Sequence, residues 1–192
     1  MSTTSASQTR SHLRVRALCE GALFVALAQV LGYLKLYELP NGGSITFAML
    51  PIFIYCVRWG FGPGMLASFV FSCLQFMFDG GFAISWVSII GDYILAYTAL
   101  GLAGLFHGKR GGLFIGSVVG AFGRFVVNYI VGATVWAEYM PETFFSMTMT
   151  TPWFYSFLYN ASYIFISLAM CLIVEAIVYK PLRRYLTGAD LH

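Results

Sequence analysis

The chain has 192 residues, of which 59% are hydrophobic and only 10% are charged, and its formal net charge is +3. Because a soluble globular domain carries about 25% charged residues to hydrate its surface, this composition excludes a soluble domain and predicts a protein embedded in lipid. No basic run alternates with aromatic residues in a hydrophilic segment, so nucleic-acid binding is not predicted.

Apolar segments separated by polar turns predict an all-α membrane protein with six transmembrane helices. A spanning helix needs about 20 apolar residues. The predicted helices cover residues 15–36, 44–59, 65–78, 86–106, 112–137 and 152–179. The second is short and contains Pro51, which predicts a kink or an incomplete crossing. The third is predicted to end at the turn Asp79-Gly80-Gly81.

The basic residues predict the orientation of the chain. Residues 1–13 are predicted to be a disordered N-terminus, residues 14–180 the six-helix substrate-binding domain, and residues 181–192 a basic tail. With six crossings, both termini share one side, which receives nine basic residues, whereas the opposite side receives only Lys35. Because cytoplasmic loops carry an excess of Lys and Arg, both termini are predicted to be cytoplasmic.

Three polar side chains on separate predicted helices fall at one depth. With a rise of about 1.5 Å per residue, Asp92 lies roughly 9 Å below the outer end of helix four. Asn128 lies roughly 13 Å down helix five, and Asn160 roughly 12 Å down helix six. Polar groups within a bilayer are costly and by default mark a function or a paired contact. The sequence therefore predicts a polar layer in the outer leaflet.

Aromatic residues surround this polar layer. They are Tyr93, Trp136, Tyr139, Trp153, Tyr155 and Tyr159. A carboxylate, two amides and flat aromatic faces suit a planar ligand that is nitrogen-rich or cationic. The alternative for each aromatic residue is the interfacial belt, in which Trp and Tyr anchor membrane proteins of any function.

Arg124 lies one helical turn inward of Asn128, at a depth where a charged side chain cannot face lipid. Three interpretations stay open at this point. Arg124 pairs with Asp92, caps helix carbonyls, or contacts a ligand.

Small residues recur at four-residue spacing on two helices, which permits close helix packing. Gly112, Gly116 and Gly120 are predicted to pack within the protein. Ala22 and Ala26 on helix one fit either internal packing or a docking face for another membrane subunit.

Catalytic motifs are missing from the sequence. It contains no G-x-x-x-x-G-K-[ST], H-E-x-x-H or G-x-S-x-G motif. The four cysteines lie in apolar stretches without metal-ligand spacing, and the three histidines lie outside the polar layer. The protein is therefore predicted not to be an enzyme, and no cofactor or metal is predicted.

Four segments carry a resemblance to a known family. They read LPNGGSITFAMLPIFIYCVRWGFGPGM, GDYILAYTALGLAGLF, GRFVVNYIVGATVW and WFYSFLYNASY. Over residues 20–178 the chain resembles the thiamine-specific substrate-binding (S) component of energy-coupling factor (ECF) transporters. The resemblance implies six helices in a prokaryotic plasma membrane and capture of the vitamin from outside. It also implies docking onto an ECF transmembrane scaffold subunit that carries two ATPase subunits, through a motif that falls on Ala22 and Ala26.

The substrate-binding positions implied by the resemblance include the polar layer. They are Asp92, Tyr93, Asn128, Gly132, Trp136, Tyr155 and Asn160. Asp92 replaces a Glu of the family pattern, and Asn128 replaces its helix-five His. An amide donates or accepts hydrogen bonds but cannot ionise or stack as an imidazole does.

The predicted function is thiamine capture for an ECF-type transporter. Asp92 would face the thiazolium charge or the aminopyrimidine, Asn128 and Asn160 would bind the pyrimidine, and Trp136 with a tyrosine would stack on the rings. Residues 37–44 would form a lid. One alternative is a related ligand, such as a thiamine precursor or another heterocycle. Others are a proton-coupled carrier that works alone and, less favoured because no catalytic group is evident, an intramembrane enzyme.

Overall fold

Six long or medium-length helices dominate the part of the chain that the structure describes. The computed structural model describes residues 3–78, 84–186 and 188–190. The helices are α1 (Thr3–Tyr33), α2 (Met49–Trp59), α3 (Phe61–Phe78), α4 (Trp86–Phe106), α5 (Gly112–Thr134) and α6 (Pro152–Leu186). The predicted turn at residues 79–81 lies outside the described residues.

Two small hairpins lie between the helices. The first pairs Tyr37–Glu38 (β1) with Ser44–Ile45 (β2) around a 3₁₀ turn at Pro40–Gly42. The second pairs Thr143–Phe144 (β3) with Met147–Thr148 (β4). A further 3₁₀ turn covers Ala137–Tyr139.

Five of the described helices are long and apolar enough to cross a membrane, and α2 is the exception. This confirms the predicted helical membrane class. With 11 residues, α2 is about 16 Å long, which is well short of a hydrocarbon core of about 30 Å. The helix α2 is shorter than the segment predicted at residues 44–59 because the first residues of that segment form β2. Gly60, at φ 86°, ends α2 at its other side.

The ends of the chain differ from the predicted boundaries. The first helix begins at Thr3, within the predicted disordered segment, because neither Gly nor Pro interrupts the chain before Gly21. The disorder of residues 1–13 in solution stays a prediction. The last helix continues through Pro181 to Leu186, so no break marks the predicted start of the tail.

An ionic cluster around the buried guanidinium of Arg58 joins the two ends of the described chain. Arg58 at the end of α2 is fully buried, and its guanidinium lies 2.6 Å from the Glu20 carboxylate and 2.7 Å from that of Asp190. Arg16 pairs with both carboxylates. The ring of Tyr185 stacks on the Arg58 guanidinium with 3.5 Å between its carbon and the ring centroid. The first, second and last helices are therefore bound together at one end of the bundle.

Close packing between α4 and α5 depends on small residues. A Cβ atom on Gly116 would lie 2.8 Å from the Ala103 carbonyl oxygen. A Cβ atom on Gly120 would lie 2.9 Å from the Leu100 carbonyl oxygen. Both distances are shorter than van der Waals contact, so the prediction that these glycines pack within the protein is confirmed.

Replacing Gly120 by Ala is expected to destabilise the protein. The added methyl group would meet the Leu100 backbone and the Phe53 ring, and overpacking of this kind costs about 1–3 kcal/mol. The measurement is thermal unfolding of the purified protein in detergent. Gly62→Ala is the matched control because a Cβ atom on Gly62 has no neighbour within 4 Å. An unfolding temperature for Gly120→Ala equal to or above that of Gly62→Ala would contradict the packing.

Candidate functional site

A cavity lies between α4, α5, α6 and the first hairpin. Its wall includes all seven residues that the sequence predicts for substrate binding: Asp92, Tyr93, Asn128, Gly132, Trp136, Tyr155 and Asn160. Further lining residues are Asn41, Gly42, Gly43, Ser44, Tyr97, Arg124, Ser156, Tyr159 and Tyr163. The predicted polar layer on three helices is thus one continuous wall.

Asp92 enters the wall from an irregular part of α4. The helix has π-helical geometry over Ile89–Leu95, a local widening that is frequent at functional sites. The Asp92 Oδ2 atom accepts hydrogen bonds from the Trp136 indole N–H at 2.8 Å and from the Ser88 hydroxyl at 2.9 Å. Both donors are neutral, so neither of these hydrogen bonds brings a compensating positive charge to the carboxylate.

Asn128, Asn160 and Tyr163 form a hydrogen-bonded row across α5 and α6. The Asn128 amide donates to the Tyr163 hydroxyl at 3.0 Å, and that hydroxyl donates to Asn160 Oδ1 at 2.8 Å. The Asn160 amide nitrogen donates to the Ser156 backbone carbonyl at 2.9 Å. It also lies 3.2 Å from the Ser156 hydroxyl oxygen. The Asn160 side chain is therefore held in one orientation.

Gly132 makes room for this row. A Cβ atom at Gly132 would overlap the Ser156 hydroxyl oxygen and lie 3.2 Å from the Asn160 amide nitrogen. Larger residues at this position would therefore displace the polar wall of the cavity.

The first hairpin covers the cavity and is fastened by two tyrosines of α6. The Tyr159 hydroxyl accepts a hydrogen bond from the Gly43 N–H at 2.8 Å and donates to the Pro40 carbonyl. The Asn41 amide donates to the Tyr155 hydroxyl at 3.3 Å. This is the segment in which the sequence predicts a lid at residues 37–44.

Arg124 lies in the cavity wall with 9% of its surface exposed. Its guanidinium carbon is 4.1 Å from the Tyr97 ring centroid, a cation–π contact. Among the described residues, Arg124 forms no ion pair with Asp92, and its Nε atom has no hydrogen-bond partner. Of the three interpretations left open, direct pairing is not formed: no salt bridge joins Arg124 to Asp92 among the described residues, and Asp92 Oδ2 accepts from the neutral groups Trp136 and Ser88.

Two of the predicted aromatic residues lie outside the cavity wall. Trp153 is 47% exposed and packs its ring edge-on against Tyr129, and Tyr139 is 54% exposed. Both fit the interfacial belt.

The sequence analysis does not assign Tyr97, Ser156 or Tyr163 to the site, although all three line the cavity. A signal for Tyr163 was available, because Tyr155, Tyr159 and Tyr163 recur every four residues and therefore share one face of α6. Tyr97 follows Tyr93 at the same spacing on α4.

The cavity combines one carboxylate, one guanidinium, amides and aromatic rings. Such a set suits a flat heterocycle that carries a positive charge at one place and hydrogen-bonding groups at another. In the described part of the chain, no group of three or more His, Cys, Asp or Glu side chains is placed to hold a metal ion. The arrangement suits recognition of an organic molecule.

Comparisons with known proteins agree with this chemistry. The chain is 30% identical over 184 residues to the thiamine transporter ThiT of Bacillus subtilis, an alignment that covers 88% of this chain and 93% of that protein. It is 23% identical over 185 residues to ThiT of Lacticaseibacillus paracasei, with 88% and 89% covered. The solved structure of ThiT from Listeria monocytogenes matches the fold with a TM-score of 0.78 at 21% identity, over 90% of this chain and 98% of that one.

The family match extends over most of the chain and confirms the resemblance seen in its motifs. The bacterial relatives and the five long apolar helices make this a multi-pass protein of a prokaryotic plasma membrane. The model of the thiamine transporter protein family matches residues 18–186, and the chain belongs to that family.

Proposed function

We propose that the protein captures thiamine from the outer side of the membrane and delivers it through an ECF-type ATPase module. The observation that supports this most is the convergence of Asp92, Asn128, Asn160 and Trp136 on one cavity beneath a hairpin lid. Asp92 balances the charge of the thiazolium ring, and the Trp136 indole, fixed by its bond to Asp92, offers a stacking face. Asn128 and Asn160, which line the same cavity, are expected to face the aminopyrimidine.

The proposed topology has six crossings and two cytoplasmic termini. The nine-to-one distribution of basic residues supports it. The cluster of Arg16, Arg58 and Asp190 also supports it, because it holds both ends of the described chain at one end of the bundle. The short helix α2 then crosses only together with the hairpin that precedes it.

The proposed partners are the ECF transmembrane scaffold subunit and two ATPase subunits. Ala22 and Ala26 are exposed on α1, beside the exposed side chains of Leu23, Leu27 and Val30. This small-residue face lets another helix approach closely. The sequence has no Walker A motif, and in this proposal the partner ATPase subunits supply the energy for transport.

Uptake into membrane vesicles tests this function. Vesicles that contain the protein, the scaffold and both ATPase subunits are expected to accumulate labelled thiamine only when ATP is supplied. Omission of the ATPase subunits should abolish accumulation while thiamine binding persists. Uptake that continues without ATPase subunits and follows a proton gradient would instead establish the carrier that works alone.

A thiamine precursor is the second candidate ligand, favoured by Asn128 at a position where the family pattern has His. Competition against labelled thiamine by the isolated pyrimidine and thiazole fragments separates the two. Thiamine is expected to displace the label at the lowest concentration. Stronger displacement by the pyrimidine alone would assign the precursor.

Replacing Tyr159 by Phe is expected to speed the release of bound thiamine about tenfold, because the lid loses its two hydrogen bonds to the Tyr159 hydroxyl. Stopped-flow fluorescence with an unlabelled chase measures this rate. Tyr37→Phe is the control, since that tyrosine lies in the same hairpin and is 60% exposed. Equal release rates for the two variants would show that Tyr159 does not fasten the lid.

A further inference from the structure

A buried serine outside the cavity wall contacts the carboxylate of Asp92. Ser88 is fully buried in the first turn of α4, and its hydroxyl donates to Asp92 Oδ2 at 2.9 Å. Asp92 itself is partly exposed and lines the cavity, whereas Ser88 does not line it. A ligand in the cavity can therefore meet the carboxylate but not the serine.

The Ser88 hydroxyl is used differently from the hydroxyls of other helical serines in this chain. A serine within a helix commonly donates to a backbone carbonyl three or four residues earlier in the same helix. Ser72, Ser117 and Ser162 do so, at 2.6, 2.9 and 2.7 Å. Within the described ranges Ser88 makes no such bond, because its hydroxyl is directed to the side chain of Asp92 instead. Its contact is therefore with a functional group and not with the helix backbone.

The backbone at Ser88 is also fixed. The Ser85 side chain, at the N-cap of α4, accepts a hydrogen bond from the Ser88 N–H at 3.2 Å. The Asp92 Oδ2 atom has a second donor, the indole N–H of Trp136, but Trp136 lines the cavity and is placed to contact a ligand. Among the described residues, Ser88 is thus the donor to Asp92 that lies outside the cavity wall.

We propose that Ser88 is a positioning residue for thiamine recognition, because it holds the Asp92 carboxylate in the orientation from which it meets the cationic ring. This inference rests on the proposed function. An Asp side chain has two rotatable bonds, and two donors to one carboxylate oxygen restrict both of them. The attraction between two charges weakens as their separation grows, so a carboxylate that turns away from the ligand loses affinity. Without the Ser88 hydroxyl, Trp136 alone would hold it.

Replacing Ser88 by Ala tests this role with two ligands, thiamine and an uncharged analogue in which carbon replaces the thiazolium nitrogen. By calorimetric titration, the variant is expected to bind thiamine about tenfold more weakly than the wild type, as for the loss of one hydrogen bond. The loss for the analogue should be no more than about twofold, since that ligand carries no charge for Asp92 to attract. In the Asp92→Asn background, Ser88→Ala should no longer change the preference for the charged ligand.

Ser85→Ala is the structural control. Ser85 is exposed and lies outside the cavity wall, and its replacement removes the cap of α4 but not the contact with the carboxylate. This variant is expected to unfold at a lower temperature and to keep the wild-type preference for thiamine over the analogue. Ser88→Thr and Ser88→Val form a second pair, nearly equal in shape, that differs by one hydroxyl. The Thr variant should keep the preference and the Val variant should lose it, which covers the case in which Ser88→Ala does not fold.

The outcomes separate this inference from the proposed function. A wild type that does not bind thiamine overturns the function itself. A wild type that binds thiamine, together with a Ser88→Ala variant that loses affinity for both ligands equally or for neither, overturns only the inference. Equal preferences in Ser88→Thr and Ser88→Val overturn it as well, since a serine that merely fills space would not need its hydroxyl.

Discussion

Replacing Asp92 by Asn is expected to weaken thiamine binding about 100-fold. The substitution keeps the size of the side chain, and its Oδ1 atom can still accept the hydrogen bonds from Trp136 and Ser88. The substitution removes the negative charge and turns the second carboxylate oxygen into an NH2 donor. Removing one member of a buried charge pair costs about 2–5 kcal/mol, and about 2.7 kcal/mol corresponds to 100-fold. Equilibrium titration of tryptophan fluorescence measures the affinity.

Glu138→Gln is the matched control for Asp92→Asn. Glu138 is an exposed acid in the loop after α5, outside the cavity wall, so its neutralisation is expected to change the affinity less than about twofold. Should Asp92→Asn bind thiamine within threefold of the wild type, the charge of Asp92 would have no part in recognition. The ligand would then be held by its rings alone.

Replacing Arg58 by Met is expected to destabilise the protein by about 3 kcal/mol. The substitution fills the space but leaves the carboxylates of Glu20 and Asp190 without the buried guanidinium that contacts both. The Arg58 and Arg16 guanidinium groups hold the pKa of the Asp190 carboxyl well below its usual range. For a protein of this size the unfolding temperature in detergent should fall by about 6 °C or more.

Arg110→Met is the control for Arg58→Met, because Arg110 is exposed in the loop between α4 and α5. Its unfolding temperature is expected to stay near that of the wild type. If Arg58→Met unfolds at the same temperature as Arg110→Met, the cluster does not fasten the ends of the chain.

The depth of each polar residue along its helix could be predicted from the sequence because the rise per residue of a helix is nearly constant. Counting residues inward from the ends of helices four, five and six was enough to bring Asp92, Asn128 and Asn160 to one layer. Motif resemblance then added Gly132, whose contribution depends on packing rather than on depth. It also gave a stacking role to Trp136, which was already among the aromatic residues around the layer.

The direction of each side chain around its helix could not be predicted in the same way. It depends on how α5 and α6 pack, and therefore on contacts between residues that are distant in the sequence. For this reason the sequence left open whether Arg124 pairs with Asp92, and it gave no sign that Asn160 is held by Ser156 and Tyr163.

The length of α2 and the ionic cluster were also beyond local sequence patterns. Pro51 indicated an irregular second segment, but the hairpin before it forms through pairing of Tyr37 with Ile45 and of Glu38 with Ser44. Arg58 and Asp190 meet although 132 positions separate them in the chain. Only the folded bundle brings these groups together.

Calorimetric titration of the purified wild-type protein with thiamine tests the central claim most directly. If three helices enclose a polar cavity under a lid, the titration is expected to give saturable heat at micromolar or lower thiamine concentrations. One thiamine should bind per chain. A folded protein that shows no saturable heat at micromolar thiamine would contradict the proposal that this cavity captures the vitamin.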